Sequence, residues 1–267
     1  MIVSPNGHLW AASLQTTGLE VQHSSTSGQT WEAGSTDLTG STIKGDTCWS
    51  TWSYGGHNYV GVFGTENGAA SRYFYSCHES GNPTNTANWT SETLPTISGI
   101  AASDNHCSSV VYNNITYIVM KTEGGNPSDP VLLLSRREAD GTWSDYAVVL
   151  QNRSPEGTRP AIAIDSTNNE LYVFFAETPG PSWDDVFYKK APLDNLESLL
   201  SASEVEVFVT VTSSGYFQNV RTPRFPVDST SNLLALGENS NDYHIWYNEI
   251  SIAAALDRDW ETGCSYI

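Results

Sequence analysis

Charge is scarce in this chain, and positive charge scarcest. Only 16% of the 267 residues are charged, against roughly a quarter in an average globular domain. Twelve are Lys or Arg and thirty are Asp or Glu, a formal net charge of −18. Nucleic-acid binding depends on cations that displace counterions from phosphates, so a nucleic-acid partner is excluded. Anionic membrane surfaces are disfavoured for the same reason. No apolar run approaches the ~20 residues of a membrane span, so membrane insertion is excluded as well. The stretch from Met1 to Gly7 has neither a basic region nor an apolar core, so it is not a signal peptide. The expectation is a mature, secreted or cell-surface domain whose leader is missing, with neighbouring domains in a larger protein.

Catalytic and metal-binding signatures are also missing. There is no HExxH, no EF-hand loop, no CxxC and no G-x-S-x-G elbow. No bound cofactor or metal is expected, although calcium is the one hard cation that gathered carboxylates would suit. The cysteines are only four, Cys48, Cys77, Cys107 and Cys264, which allow three connectivities. Cys48 and Cys107 open equivalent strands and are the preferred disulfide pair. Buried free thiols are the alternative.

What the chain does have is aromatic and β-forming. Hydrophobic residues make up 39% and aromatics 11%, and aromatic and β-branched side chains suit a pleated, half-buried surface. A unit of about fifty residues repeats. Its clearest strand is apolar and runs into a polar turn: Leu9-Trp10-Ala11-Ala12-Ser13-Leu14-Gln15, then Tyr59 to Glu66, Tyr117 to Glu123, Leu171 to Glu177 and Leu233 to Glu238. Turn signals recur every 8–12 residues, as in all-β folds. Gly55-Gly56, Asn113-Asn114 and Asp140-Gly141 mark hairpins. One short helix is expected within 193–202. Repeats of this period indicate solenoids, propellers or arrays. Four strands per repeat and five repeats predict an all-β fold, a β-propeller of about five four-stranded blades. The blades fall near 1–45, 46–104, 105–156, 157–219 and 220–267 of a single domain. Six blades and a two-sheet sandwich are the alternatives.

The segment Ser24-Ser25-Thr26-Ser27-Gly28-Gln29-Thr30-Trp31 resembles the Asp-box, S-x-D-x-G-x-T-W, of sialidase-like propellers, with Thr26 where the Asp stands. Arg159-Pro160-Ala161-Ile162-Ala163-Ile164-Asp165 and the strand after it look like a repeat of secreted bacterial propellers without assigned chemistry. This resemblance implies the fold, and in that family the Asp-box is structural and turned away from the ligand.

In a propeller, the loops after the second strands share a face with the entries to the first strands. That face would gather Gln15, Glu66, Glu123, Glu177 and Glu238 with Arg159, Arg221 and Arg224, beside Trp49 and Trp52. Trp183, in a Pro/Gly-rich loop, would add a stacking platform. Carboxylates, guanidinium forks and aromatic faces match the hydroxyls and ring faces of a glycan or polysaccharide. A lectin-like binding function is therefore expected. Two other readings stay open. One is a propeller glycoside hydrolase: a sialidase-like enzyme using Arg159, Arg221 and Arg224, or a five-bladed glycosidase using Glu66, Glu123 and Glu177 as its acid, base or nucleophile. The other is a structural or adhesion module.

Overall fold

The structure, a computed structural model, describes residues 1–15, 18–32, 36–38, 46–65, 72–82, 85–95, 103–122, 128–151, 158–180, 183–208, 217–239, 245–252 and 265–266. They form five four-stranded antiparallel sheets. Blade 1 comprises β1 (Ile2–Val3), β2 (Leu9–Gln15), β3 (Gly18–Ser24) and β4 (Thr36–Asp37). Blade 2 comprises β5 (Thr47–Tyr54), β6 (His57–Thr65), β7 (Arg72–His78) and β8 (Trp89–Ser91). Blade 3 has β9 (Ser103–Tyr112), β10 (Ile115–Thr122), β11 (Pro130–Arg137) and β12 (Ala147–Gln151). Blade 4 has β13 (Thr158–Asp165), β14 (Glu170–Gly180), β15 (Trp183–Pro192) and β16 (Val205–Glu206). Blade 5 has β17 (Phe217–Arg221), β18 (Asn232–Asn239), β19 (Ile245–Ser251) and β20 (Ser265–Tyr266). The fold is a five-bladed β-propeller. Blades 3 and 5 begin at Ser103 and Phe217, ahead of the expected starts at 105 and 220.

Turn chemistry builds the hairpins. Gly55 and Gly56 both take positive φ, +59° and +81°, as a type I′ turn needs at its two central residues. Asn113 and Asn114 do the same at 51° and 63°, since Asn tolerates the left-handed region better than other side chains. Gly141 follows at +95°, with Asp140 Oδ1 accepting the Thr142 N–H at 2.9 Å. After β3, Thr26 Oγ1 accepts the Thr30 N–H at 2.8 Å and Ser24 Oγ accepts the Gly28 N–H at 2.9 Å. A hydroxyl therefore fastens this turn at Thr26. The helix expected within 193–202 is a single 3-10 turn, Leu196–Leu200.

The middle strands of blades 3 and 4 are covered on both faces, because alternate side chains enter different interfaces. On β11, Leu132 and Leu134 pack towards blade 4, and Leu133 packs towards blade 2. On β14, Leu171, Val173 and Phe175 meet blade 3, while Tyr172 and Phe174 meet blade 5. Trp10, Leu19 and Val21 of blade 1 meet Trp49, Val60 and Val62 of blade 2. This double coverage explains the near-continuous apolar runs. Hydroxyls stitch the inner strands together: Ser109 Oγ donates to Trp49 O at 2.7 Å, and Thr222 Oγ1 to Ile162 O at 2.9 Å.

The expected Cys48–Cys107 disulfide is absent. The two face each other across the interface of blades 2 and 3, but both are free thiols. Cys107 donates towards Asp46 O at 3.5 Å. Its hydrogen bond with Cys48, together with burial, holds its pKa well above the ordinary thiol value. Cys77 is also free, with burial raising its pKa to about 11. Cys264 lies outside the described residues.

Glu79 ties blade 1 to blade 2, accepting the Asn6 N–H at 2.9 Å. Burial alone would raise its pKa. Hydrogen bonds from Ser4, the Asn6 N–H and Asn58, with the nearby His8, outweigh that and hold it below the ordinary value. A depressed folded pKa stabilises the protein above the unfolded value, about 4.3, and that stabilisation is lost as pH falls through the folded value. Urea midpoints should therefore fall below about pH 4.3, and Glu79→Gln should flatten that fall. An unchanged acid slope in the variant would rule out Glu79 as its source.

Candidate functional site

Blade 5 supplies the described cavity on the loop face. It has a volume of about 520 Å³ and is lined by Asn219, Arg221, Leu236, Gly237, Glu238 and Ile245. Its shape begins in the backbone of β17. Between Gln218 and Arg221 the ladder to β18 shifts register, and Asn219 in the gap takes φ 57°. A bulge of this kind re-aims side chains at the rim of a sheet. Asn219 Nδ2 donates to Glu238 Oε2 at 2.9 Å. That bond fixes one carboxylate oxygen of Glu238 in the cavity that Arg221 also lines.

The floor is set by close packing. A Cβ on Gly237 would sit 2.9 Å from Cε2 of the fully buried Phe208. Glycine therefore lets β18 lie against the blade 4–5 core. Leu236 and the exposed Ile245 give the cavity an apolar flank. A carboxylate, an amide and a guanidinium beside an apolar wall can accept from and donate to hydroxyls while covering a ring face.

Blade 4 repeats the bulge. The β13–β14 ladder shifts between Thr158 and Ala161, and Arg159 takes φ 51°. Arg159 thus stands where Asn219 stands in blade 5, and Ala161 where Arg221 stands. The equivalence of the acidic ends needs correction here. Thr158 pairs with Ala176 and Gln218 pairs with Glu238, so Glu238 holds the register of Ala176, and Asn239 that of Glu177. Glu177 and Glu238 are one residue out of step.

Gln15 ends β2 opposite Gly18, Glu177 pairs with Asp185, and Trp183 pairs with Gly180; the side chains of Gln15, Glu177 and Trp183 lie outside the described residues, as do Glu66 and Glu123 entirely. Arg224 is exposed past the end of β17. With burial, its charge lowers the pKa of the Met1 ammonium, which brings the last blade near the first. Trp49 and Trp52 are not on the loop face at all. They are 3% and 2% exposed, Trp49 towards blade 1 and Trp52 towards blade 3. Trp52 stacks on Tyr59 at 5.5 Å and lies 4.1 Å beneath the Arg137 guanidinium. Neither indole offers a face to a ligand. Asn219 is not among the expected residues, and its only signal in the sequence is its place in a bulge that Arg159 shares sixty residues earlier.

No protein-family model and no curated protein matches the chain. Solved structures do resemble it. An alpha-L-arabinanase from Penicillium chrysogenum, complexed with arabinobiose, superposes with a TM-score of 0.54 at 11% identity, covering 100% of this chain and 91% of that one. An alpha-L-arabinofuranosidase from Lactobacillus brevis gives 0.55 at 10% identity, covering 98% and 92%. The Aleuria aurantia lectin in complex with alpha-methyl-L-fucoside gives 0.58 at 9% identity, covering 99% and 74%. At these identities the likeness is one of fold.

Proposed function

We propose that this propeller is an extracellular carbohydrate-binding protein that holds a neutral saccharide in the blade 5 cavity. The observation that carries the reading is the Arg221–Glu238–Asn219 set, converging on one open cavity with an apolar flank. A sugar hydroxyl both donates and accepts, so it suits a wall that offers a guanidinium and a carboxylate together. The fold is compatible, since structures that resemble it include an arabinanase, an arabinofuranosidase and a lectin by name. Hydrolysis would call for two carboxylates flanking the scissile bond, and among the described residues this cavity presents one, Glu238. That favours binding over turnover.

A glycan array run with and without calcium tests this reading. Hydrogen bonds to charged groups contribute about 1.5–3 kcal/mol, so Arg221→Ala or Glu238→Gln should weaken the best array ligand about 10- to 100-fold with an unchanged melting temperature. A silent array would favour a structural or adhesion module. Polysaccharide turnover that is lost in Glu238→Gln would favour a hydrolase.

A further inference from the structure

Blades 3 and 4 part at the end of the propeller opposite the loop face, where the β9–β10 and β13–β14 turns lie. Two cavities open there, of about 520 Å³ and about 420 Å³, and they share Arg136, Leu193 and Asp194. They are two lobes of one groove. The larger lobe carries Tyr112 and Tyr117, and the smaller carries Asp145 and Glu197. The alternation of β11 places Arg136 here: it follows Leu132 and Leu134 on the side facing blade 4, while Arg137 turns to blade 2.

Arg136 at the junction is sparsely partnered. Its Nε lies 2.7 Å from Glu138 Oε1, but the N–H does not point at that oxygen. Nε is buried, but the side chain is 34% exposed, so the four Nη–H donors are the ones left for a guest. Asp194 and Asp145 are exposed beside it, so acceptors stand next to donors. A carboxylate or phosphate guest would meet Asp145, Asp194 and Glu197 in a chain of charge −18, and like charges at close range repel. A cationic guest would meet Arg136. A hydroxyl answers both, accepting from the guanidinium and donating to a carboxylate. The half-buried Tyr112 ring offers apolar area with low conformational cost.

We infer that this groove is a second binding site, on the opposite end from the blade 5 cavity, for a neutral oligosaccharide with one ring in each lobe and Arg136 at the linkage. It stands independently of the loop-face reading, because it shares no residue with that cavity.

The test is NMR titration of the full chain with lactose, maltose and arabinobiose, and with a glucuronate-containing disaccharide as the anionic arm. At least one neutral disaccharide should shift the Arg136 Nε–H and the backbone amides from Leu193 to Glu197, with saturation. Arg136→Ala should weaken that response about tenfold or more, as expected for loss of a charged hydrogen bond, while Arg221→Ala should leave it intact. Asp194→Ala, at an exposed turn, should weaken the response as well, and it serves as the test where Arg136→Ala fails to fold. The site is overturned if no neutral probe moves these signals, if the anionic probe alone does, or if both groove variants respond like the wild type. A groove response that survives beside unchanged glycan binding in Arg221→Ala would discard the blade 5 cavity and keep the groove.

Discussion

Arg137→Ala is expected to destabilise the propeller by about 3–5 kcal/mol, the usual cost of removing one partner of a buried ion pair. The Arg137 and Glu92 side chains are 4% and 11% exposed. Nε and Nη2 of the guanidinium donate to the two Glu92 oxygens at 2.7 Å each. Trp143 Nε1 donates to the same carboxylate at 3.0 Å, and Arg137 Nη1 donates to Glu138 O at 3.0 Å. The guanidinium plane also covers Trp52 at 4.1 Å and Phe74 at 5.1 Å. Truncation would strand the Glu92 carboxylate with one indole N–H and would uncover two rings at the interface of blades 2 and 3. Replacing both partners, as in Arg137→Met with Glu92→Met, should cost much less, since apolar pairs often substitute for buried ion pairs without loss. Urea denaturation of the two single variants and the double variant measures the coupling. A loss under about 1 kcal/mol for Arg137→Ala would instead put the pair among ordinary surface salt bridges.

That cluster also shows where the sequence stops being informative. The four-stranded repeat, hairpin positions and the glycine and asparagine turns follow from local pattern, because an apolar run ended by Gly-Gly or Asn-Asn has few other solutions, while five blades against six is decided only by the sheets themselves. Glu92 and Arg137 stand 45 residues apart in different blades, and no local rule joins them. Trp49 and Trp52 read alike in sequence, an aromatic pair near a strand entry that suggests a ligand platform, yet their odd spacing sends them into different interfaces. The acidic ends illustrate the same limit. Aligning Glu177 with Glu238 by residue type skips one position, and only the ladders to β13 and β17 reveal the step. With a side-chain period of two, one residue is enough to change which neighbour a side chain meets. Asn219 is legible only through its positive φ in a bulge, which sequence repetition hints at and backbone geometry decides.

Gly61→Ala tests the same interface from below. In most strands, replacing Gly with Ala stabilises by about 0.5–1 kcal/mol, because glycine loses more backbone freedom on folding. Here the sign should reverse. Gly61 pairs with Ser50 on one side and Ser76 on the other, and it lies between Val60 and Val62, which face blade 1. Its missing Cβ therefore points towards blade 3, where it would come within 2.4 Å of Phe74 Cζ and 2.8 Å of Trp52 Cζ3. Both rings are buried, and both lie under the Arg137 guanidinium, so neither can swing away without disturbing the ion pair above. Overpacking of this kind costs about 1–3 kcal/mol, and two fixed rings put Gly61→Ala near the upper end. Phe74→Leu should relieve part of it, so the double variant should lose less than the sum of the single losses. The Arg137→Ala background should also soften the penalty, because uncovering the rings lets them move. Additive losses in both combinations would mean that Gly61, Phe74 and Arg137 act separately, and that the interface is not one packed stack but a row of independent contacts.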